Sequence, residues 1–580
     1  MAHTQGDGGT MGPGVPRRPW IVAQDPGVRR AGRILTAQVS VPWEDLEPGP
    51  LGHRVHVVDY DASTKTFYRP APASLLEGDA PDDDLILGEP SFHAQNVYAL
   101  VMRTLGRFEQ ALGRRVSWGF RSHQLKVVPH AFEAANAFYA PDSESLSFGY
   151  FRRDGRPAFT CLSHDIVVHE TAHALLDGLR SRFMAPSSPD QAAFHEGYAD
   201  IVALLSVFSL TGVVEQLIDH AAERDRSRSA RRGLIHRSLL DEEQLRRSVL
   251  FGLADDMEGE TAGARVNALR RSVALEPDPA ILEQDVFLEA HSRGEVLVAA
   301  VMRTYLEVWT RRLRALGAIE RDYVDRERVA EEGANVADQL LTMVIRALDY
   351  TPPIHLTFAD FLSAVLTADA EVRVDDRRYQ LRATLRTWFG RYGIEPTAAT
   401  VDGTWPRSDL QLTRHGVRFD SLQADPTEMF RLVWSNRRSL QLDPSAYTRV
   451  SSLRPCLRIG PEDGLPVRET VAECTQYLSV RADELRRYRL VKPLGVDDAT
   501  PIVLEGGSTL VLDEYGTLKY EINNGLPVKG NAPALAVAQR RLDYLAEQGY
   551  FEAGSSVAAR LSSLHRRRAL GDDSARAEVW

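Results

Sequence analysis

The chain has 580 residues, a formal charge of −11, 43% hydrophobic residues and 26% charged residues. That length is too great for one compact core, and the ordinary composition excludes wholesale disorder. The acidic balance argues against nucleic acid or an anionic membrane as the main partner, and the three cysteines, Cys161, Cys456 and Cys474, make neither a disulfide framework nor a close metal-type pair.

Residues 1–30 are rich in Gly, Pro and Arg without periodicity, and read as a flexible arm. They hold no apolar core of the kind a secretory signal needs. The glycines of GDGGTMGPG precede neither a lysine nor a helix, which argues against a phosphate loop. Short β-type runs follow, RILTAQVSV, HRVHVVDY and KTFYRP, separated by turn residues. An amphipathic helix is expected over AQNVYALVMRTLGRFEQAL, then strands around QLKVVPH and SLSFGYF. From Ser163 to about Gly393 the pattern is mainly helical. It includes HDIVVHETAHALLDGL, Phe194 to Phe208, GEVLVAAVMRTYLEVWTRRL and VADQLLTMVIRAL, and a helix opened by a capping box at Thr357 and Asp360. The longest apolar stretch, Ile201 to Leu217, carries Ser, Thr, Gly and Glu and falls short of a membrane span. A cytoplasmic protein with no membrane partner is expected. Farther on, STLVLDEYGTLKYEI reads as a hairpin and ALAVAQRRLDYLAEQ as a surface helix. The fold class is therefore α+β: an arm (1–30), an α+β lobe (31–180), a helical lobe (181–398) and an accessory α+β domain (399–580).

The chemistry concentrates in HETAH, His169 to His173, within a helix whose other positions are largely apolar. Positions i and i+4 share a helix face, so the two imidazoles can grip one zinc ion from the same side. Glu170, next to the first of them, lies within reach of a zinc-bound water. A second element, HEGYAD (His195 to Asp200), opens another apolar helix with Glu196 and Asp200 on one face. A catalytic zinc site needs a third protein ligand and an open position, and Glu196 supplies that ligand. A ligating histidine also needs an acceptor for its other ring N–H, a role open to Asp200 beside His169. Buried carboxylates are costly unless paired or bound to metal, so this acidic pair is hard to explain as packing.

HExxH followed about twenty residues later by ExxxD resembles the gluzincin pattern, and in particular the thermolysin family of zinc metallopeptidases. NAFY (Asn136 to Tyr139) with SLSFGYF resembles that family's substrate-lining edge strand, ALR (Ala268 to Arg270) its substrate-carbonyl arginine motif, and EAHSRGEV (Glu289 to Val296) its catalytic-histidine segment. The marks occur in the family's order over about residues 90–310. The resemblance implies a thermolysin-like fold and one zinc ion per chain, with a peptide or protein as substrate. It further implies that Asn136 and Ala137 pair with the substrate backbone and that Arg270 binds its carbonyl. His291 would donate to the tetrahedral intermediate, oriented by Asp285 or Glu289. Where the family places an oxyanion-binding tyrosine this chain offers Phe183, which has no hydroxyl. The calcium cluster of secreted members is not evident, and calcium is not predicted. An exopeptidase of the same zinc class, or a non-catalytic scaffold retaining the site, are the competing readings. His164 and His195 read as structural or solvent histidines, Cys161 as a core residue, and the basic run Arg224, Arg226, Arg228, Arg231 and Arg232 as a solvated or docking segment.

Overall fold

A computed structural model describes residues 15–551, apart from 154, 186, 225–232, 253–270, 320–321, 374, 419–420, 460–465 and 528–531. It mixes helices and strands, an α+β architecture. The basic run from residue 225 onward and Arg270 lie outside the described residues.

The N-terminal sheet runs Arg156–Phe159, Ser145–Arg153, Leu125–Glu133, Val55–Val57, with Ala137–Ala140 pairing the start of Ser145–Arg153. Leu125–Glu133 runs parallel to both its neighbours, and the pairings of Ser145–Arg153 with Arg156–Phe159 and Ala137–Ala140 are antiparallel. Behind it packs the helix Pro90–Leu112. It starts with proline, whose missing N–H is no loss in a first turn, and ends at Gly113 in the left-handed region at φ 67°. Residues 20–30, assigned above to a flexible arm, are instead part of the fold. Trp20–Val22 pairs with Thr36–Gln38, Ile21 and Val22 are fully buried, and Val22 N–H donates to Asn96 Oδ1 at 2.9 Å. Three apolar residues in a row outweigh the glycines and prolines around them.

The helical part is built around His164–Leu179, Pro189–Phe208 and Ala290–Ala315. The second begins earlier than its apolar run suggests, because Ser188 caps it by accepting from Gln191 N–H. The third also begins early, capped by Glu289, which accepts from Ser292 N–H at 2.8 Å. Helices Pro189–Phe208 and Ala290–Ala315 meet at Gly197 and Gly294. A Cβ on Gly197 would stand 2.9 Å from Gly294 O, so only glycine permits this approach. The capping box before Phe358–Val372 is present in both directions, Asp360 N–H to Thr357 Oγ1 and Thr357 N–H to Asp360 Oδ2. The apolar stretch from Ile201 is split between Pro189–Phe208 and the next helix, bent by 79°. Among the described residues no single helix is long and apolar enough to cross a membrane.

The C-terminal sheet is a four-stranded antiparallel meander, Tyr447–Ile459, Pro466–Arg481, Pro501–Asp513, Leu518–Asn524, whose last two strands are the expected hairpin. Val471, Val511, Tyr520 and Ile522 join the same apolar core as the helices. Buried ion pairs gather at the same seam. Arg114 grips Asp349 through two bonds of 2.6 and 2.7 Å, Arg458 reaches Asp349 and Glu469, and Lys519 reaches Glu371 and Glu469. Arg180, which ends the HETAH helix, pairs with Glu473, and Arg454 donates to Leu179 O. Those last two contacts tie the accessory sheet to the end of the helix that carries the site.

Candidate metal centre

HETAH lies in the middle of His164–Leu179, and both imidazoles project from one face as the i, i+4 spacing requires. Their rings stand edge to face with centroids 4.3 Å apart. Pro189–Phe208 crosses this face and delivers Glu196. His169 Nε2 lies 3.7 Å from Glu196 Oε2, and His173 Nε2 lies 3.7 Å from Glu196 Oε1. All three side chains are buried, and their donor atoms fall within 4.8 Å of one another. Ligands about 2.0–2.1 Å from a tetrahedral ion stand roughly 3.3 Å apart, so each histidine-to-Glu196 separation of 3.7 Å lies within a few tenths of an ångström of that spacing. The cluster could hold a metal ion, and its two nitrogens and one oxygen suit a borderline divalent cation.

The residues around the triangle fix its orientation. Asp200, one turn beyond Glu196, accepts from His169 Nδ1 at 2.6 Å, which leaves Nε2 to point at the centre. His195 stands behind His173 as Asp200 stands behind His169, in contact with its Nδ1. The two rings stack at 17° and their Nδ1 atoms are 2.7 Å apart. His195 was read above as structural or solvent-facing, and its contact with His173 was not anticipated. The reading of His164 as structural agrees with its place, fully buried with Nε2 3.0 Å from Ser206 Oγ.

Glu170 is 2% exposed, and its Oε2 accepts from Tyr139 N–H at 3.0 Å. Tyr139 belongs to Ala137–Ala140, and its hydroxyl donates to Asp177 on the HETAH helix at 2.9 Å. Burial pushes the Asp177 carboxyl up, against the hydrogen bond from Tyr139. The strand is thus fastened at two points beside the metal triangle, and among the described residues its outer edge pairs with no other strand. Successive residues of a strand turn their backbone groups to opposite edges. Tyr139 N–H points toward the site, so Ala137 does as well. Asn136 has the other parity, and its carbonyl is taken up by Gly149 N–H at 2.7 Å and by Thr160 Oγ1.

His291 lies in the first turn of Ala290–Ala315 and reaches the same centre. Its Nε2 is 3.5 Å from Glu196 Oε2, and its Nδ1 is 2.7 Å from Glu289 Oε1. The Gly197–Gly294 crossing sets this separation. Of the two acids considered for His291, Glu289 is therefore the one in contact. Burial raises the Glu289 carboxyl, but its bonds to His291 and to Ser292 N–H outweigh burial and bring it down to about 2. Phe183 is fully buried and packs edge-on against Phe194, as a core residue does. No protein-family model matches this chain, and no curated protein matches it.

Proposed function

We propose that the chain is a zinc-dependent metallopeptidase of thermolysin-like architecture that cuts peptide bonds in proteins or peptides. The observation that carries this reading is the buried triangle of His169, His173 and Glu196 with Glu170 beside it. Its supports are the Asp200 and His195 contacts, the open edge of Ala137–Ala140, and His291 on the far side of Glu196. The three cysteines are free and buried, which supports a reducing, cytoplasmic setting.

Zinc held by the triangle would lower the pKa of a water molecule and polarise the scissile carbonyl. The chain's own residues do the rest. An extended substrate adds to the outer edge of Ala137–Ala140, with Ala137 rather than the Asn136 carbonyl offering backbone partners. Glu170 takes a proton from the attacking water and delivers it to the leaving amine. The bond from Tyr139 N–H holds that carboxylate in place between edge strand and metal triangle. Glu289, in contact with Nδ1 of His291, orients the ring so that its Nε2 faces the developing oxyanion as a donor. Arg270 is assigned the carbonyl on the leaving side by resemblance alone.

The test joins metal analysis of the purified chain to cleavage profiling on a library of capped and free-amine peptides. Zinc that is retained in Glu170→Gln while cleavage stops is the expected result, and cleavage of capped peptides selects an endopeptidase. Full activity in Glu170→Gln overturns the base assignment. Unchanged zinc content in Glu196→Ala overturns the ligand assignment.

A further inference from the structure

A second group of metal-capable side chains meets in the N-terminal half, independent of the peptidase reading. His93 comes from the first turn of Pro90–Leu112, His130 from strand Leu125–Glu133, and Cys161 from the short turn Thr160–Leu162 just ahead of the HETAH helix. They are 1%, 1% and 0% exposed, and one donor atom from each lies within 4.8 Å of the others.

The hydrogen bonds around the two rings fix which of their nitrogens face each other. His93 Nε2 is 2.9 Å from Ile86 O, which can only accept, so this nitrogen carries a hydrogen. His130 Nδ1 is 2.9 Å from both oxygens of Asp59, and as the donor to a carboxylate it too carries its hydrogen. The remaining nitrogens, His93 Nδ1 and His130 Nε2, face each other at 2.7 Å. Two neutral rings in these tautomers would oppose two bare lone pairs, and such a pair holds together only with a cation between them. That cation is either a shared proton or a metal ion.

Three features favour the metal. Cys161 brings a third donor atom within 4.8 Å of one on each ring, which a shared proton does not require. The outer nitrogens meet a carbonyl and a carboxylate, the partners by which ligating histidines are oriented. Aromatic rings seal the cluster, with Phe159 centred 4.6 Å from His93 and 5.3 Å from His130, and Tyr68 centred 4.8 Å from His130. Ligands of one ion stand about 3.3 Å apart, so the rings need to separate by roughly half an ångström.

We infer that His93, His130 and Cys161 form a second, structural metal site for a thiophilic d10 cation, zinc or cuprous copper. Two imidazoles and a thiolate suit either ion, and burial closes the site to substrate. The thiol loses its proton on binding, as any ligating cysteine must. An ion there ties the back helix, the sheet and the turn that leads into the HETAH helix. Asn96 already pins that turn, donating from Nδ2 to Cys161 O at 2.8 Å.

The test uses the full chain carrying His169→Ala and Glu196→Ala, which removes the first site, under reducing conditions. Titration with Co2+ is expected to give a near-ultraviolet thiolate-to-cobalt charge-transfer band that saturates at a stoichiometric amount of metal. Adding Cys161→Ser is expected to abolish the band, and Cys456→Ser to leave it intact. Circular dichroism of the Cys161→Ser protein separates a lost site from a lost fold, and the band in its parent needs no cysteine variant at all. Loading with Zn2+ in one arm and anaerobically with Cu+ in the other, followed by competition, shows which ion is kept. Absence of the band with no stoichiometric metal in either arm, or a band that survives Cys161→Ser, overturns the inference.

Discussion

Replacing Asp200 by Ala leaves every proposed ligand of the first site in place and removes only the acceptor behind His169. That bond is 2.6 Å long, and the two side chains are 5% and 13% exposed, so solvent screens it little. Losing such a partner typically weakens metal binding about 10- to 100-fold, which is about 1.4 to 2.7 kcal/mol. Asp200→Asn keeps an acceptor oxygen of nearly the same shape and loses only the charge, so it is expected to fall between parent and alanine. The ordering arises because the carboxylate both fixes the ring and raises its basicity, and the amide retains only the first effect. Competition against a fluorescent zinc chelator measures the change directly. The Cys161→Ser background keeps the second cluster from contributing. If Asp200→Ala binds zinc within about twofold of its parent, well under the loss expected of a ring's orienting partner, the argument that Asp200 holds His169 is wrong.

Four further outcomes follow from the same geometry. His291→Ala is expected to lower kcat by about 100- to 1,000-fold with zinc retained, and a loss confined to KM would assign His291 to binding alone. Gly197→Ala places a Cβ 2.9 Å from Gly294 O. It is expected to cost about 1 to 3 kcal/mol in urea unfolding and to slow turnover by moving His291, so an unchanged midpoint and rate would contradict the crossing described. Tyr139→Phe frees the Asp177 end of the edge strand and is expected to raise KM for long peptides more than for short ones; equal effects would detach this strand from substrate. Glu521, in strand Leu518–Asn524, has its carboxyl raised by burial to about 7. An acid raised on folding destabilises the fold increasingly as pH climbs from its unfolded value through its folded one, so Glu521→Gln is expected to stabilise by about 2 kcal/mol near pH 8 and scarcely at all near pH 4. Denaturant midpoints at the two pH values check the difference, and an equal gain at both would refute burial as the cause.

What was legible in the sequence was local. The HETAH helix spans His164–Leu179 because its apolar positions and its paired histidines obey one period. The i, i+4 spacing of Glu196 and Asp200 carried over directly into two contacts at one centre. Choices that depended on how elements cross were not legible. Between Asp285 and Glu289 the spacing left a tie, and helix capping at Glu289 broke it. His195 sat beside the motif like a bystander, since its role exists only where two helices stack its ring on His173. His93 and His130 stand 37 positions apart on a helix and a strand, so no window of sequence unites them with Cys161. The edge strand was anticipated by likeness, but which residues face outward came from the parity set by Tyr139.

The seam of buried charge between the accessory sheet and the rest has a mechanical consequence. A fragment ending near residue 400 would leave Asp349 to Arg114 alone and would take Glu473 from Arg180, so that a buried cation loses its carboxylate partner. Breaking a buried pair in that way costs about 3 to 5 kcal/mol, a large share of what holds any domain folded. The last third of the protein thus works as a counterweight locked into the helix bearing the two imidazoles. Whatever prises the sheet away slackens that helix from its far end without ever touching His169, His173 or Glu196.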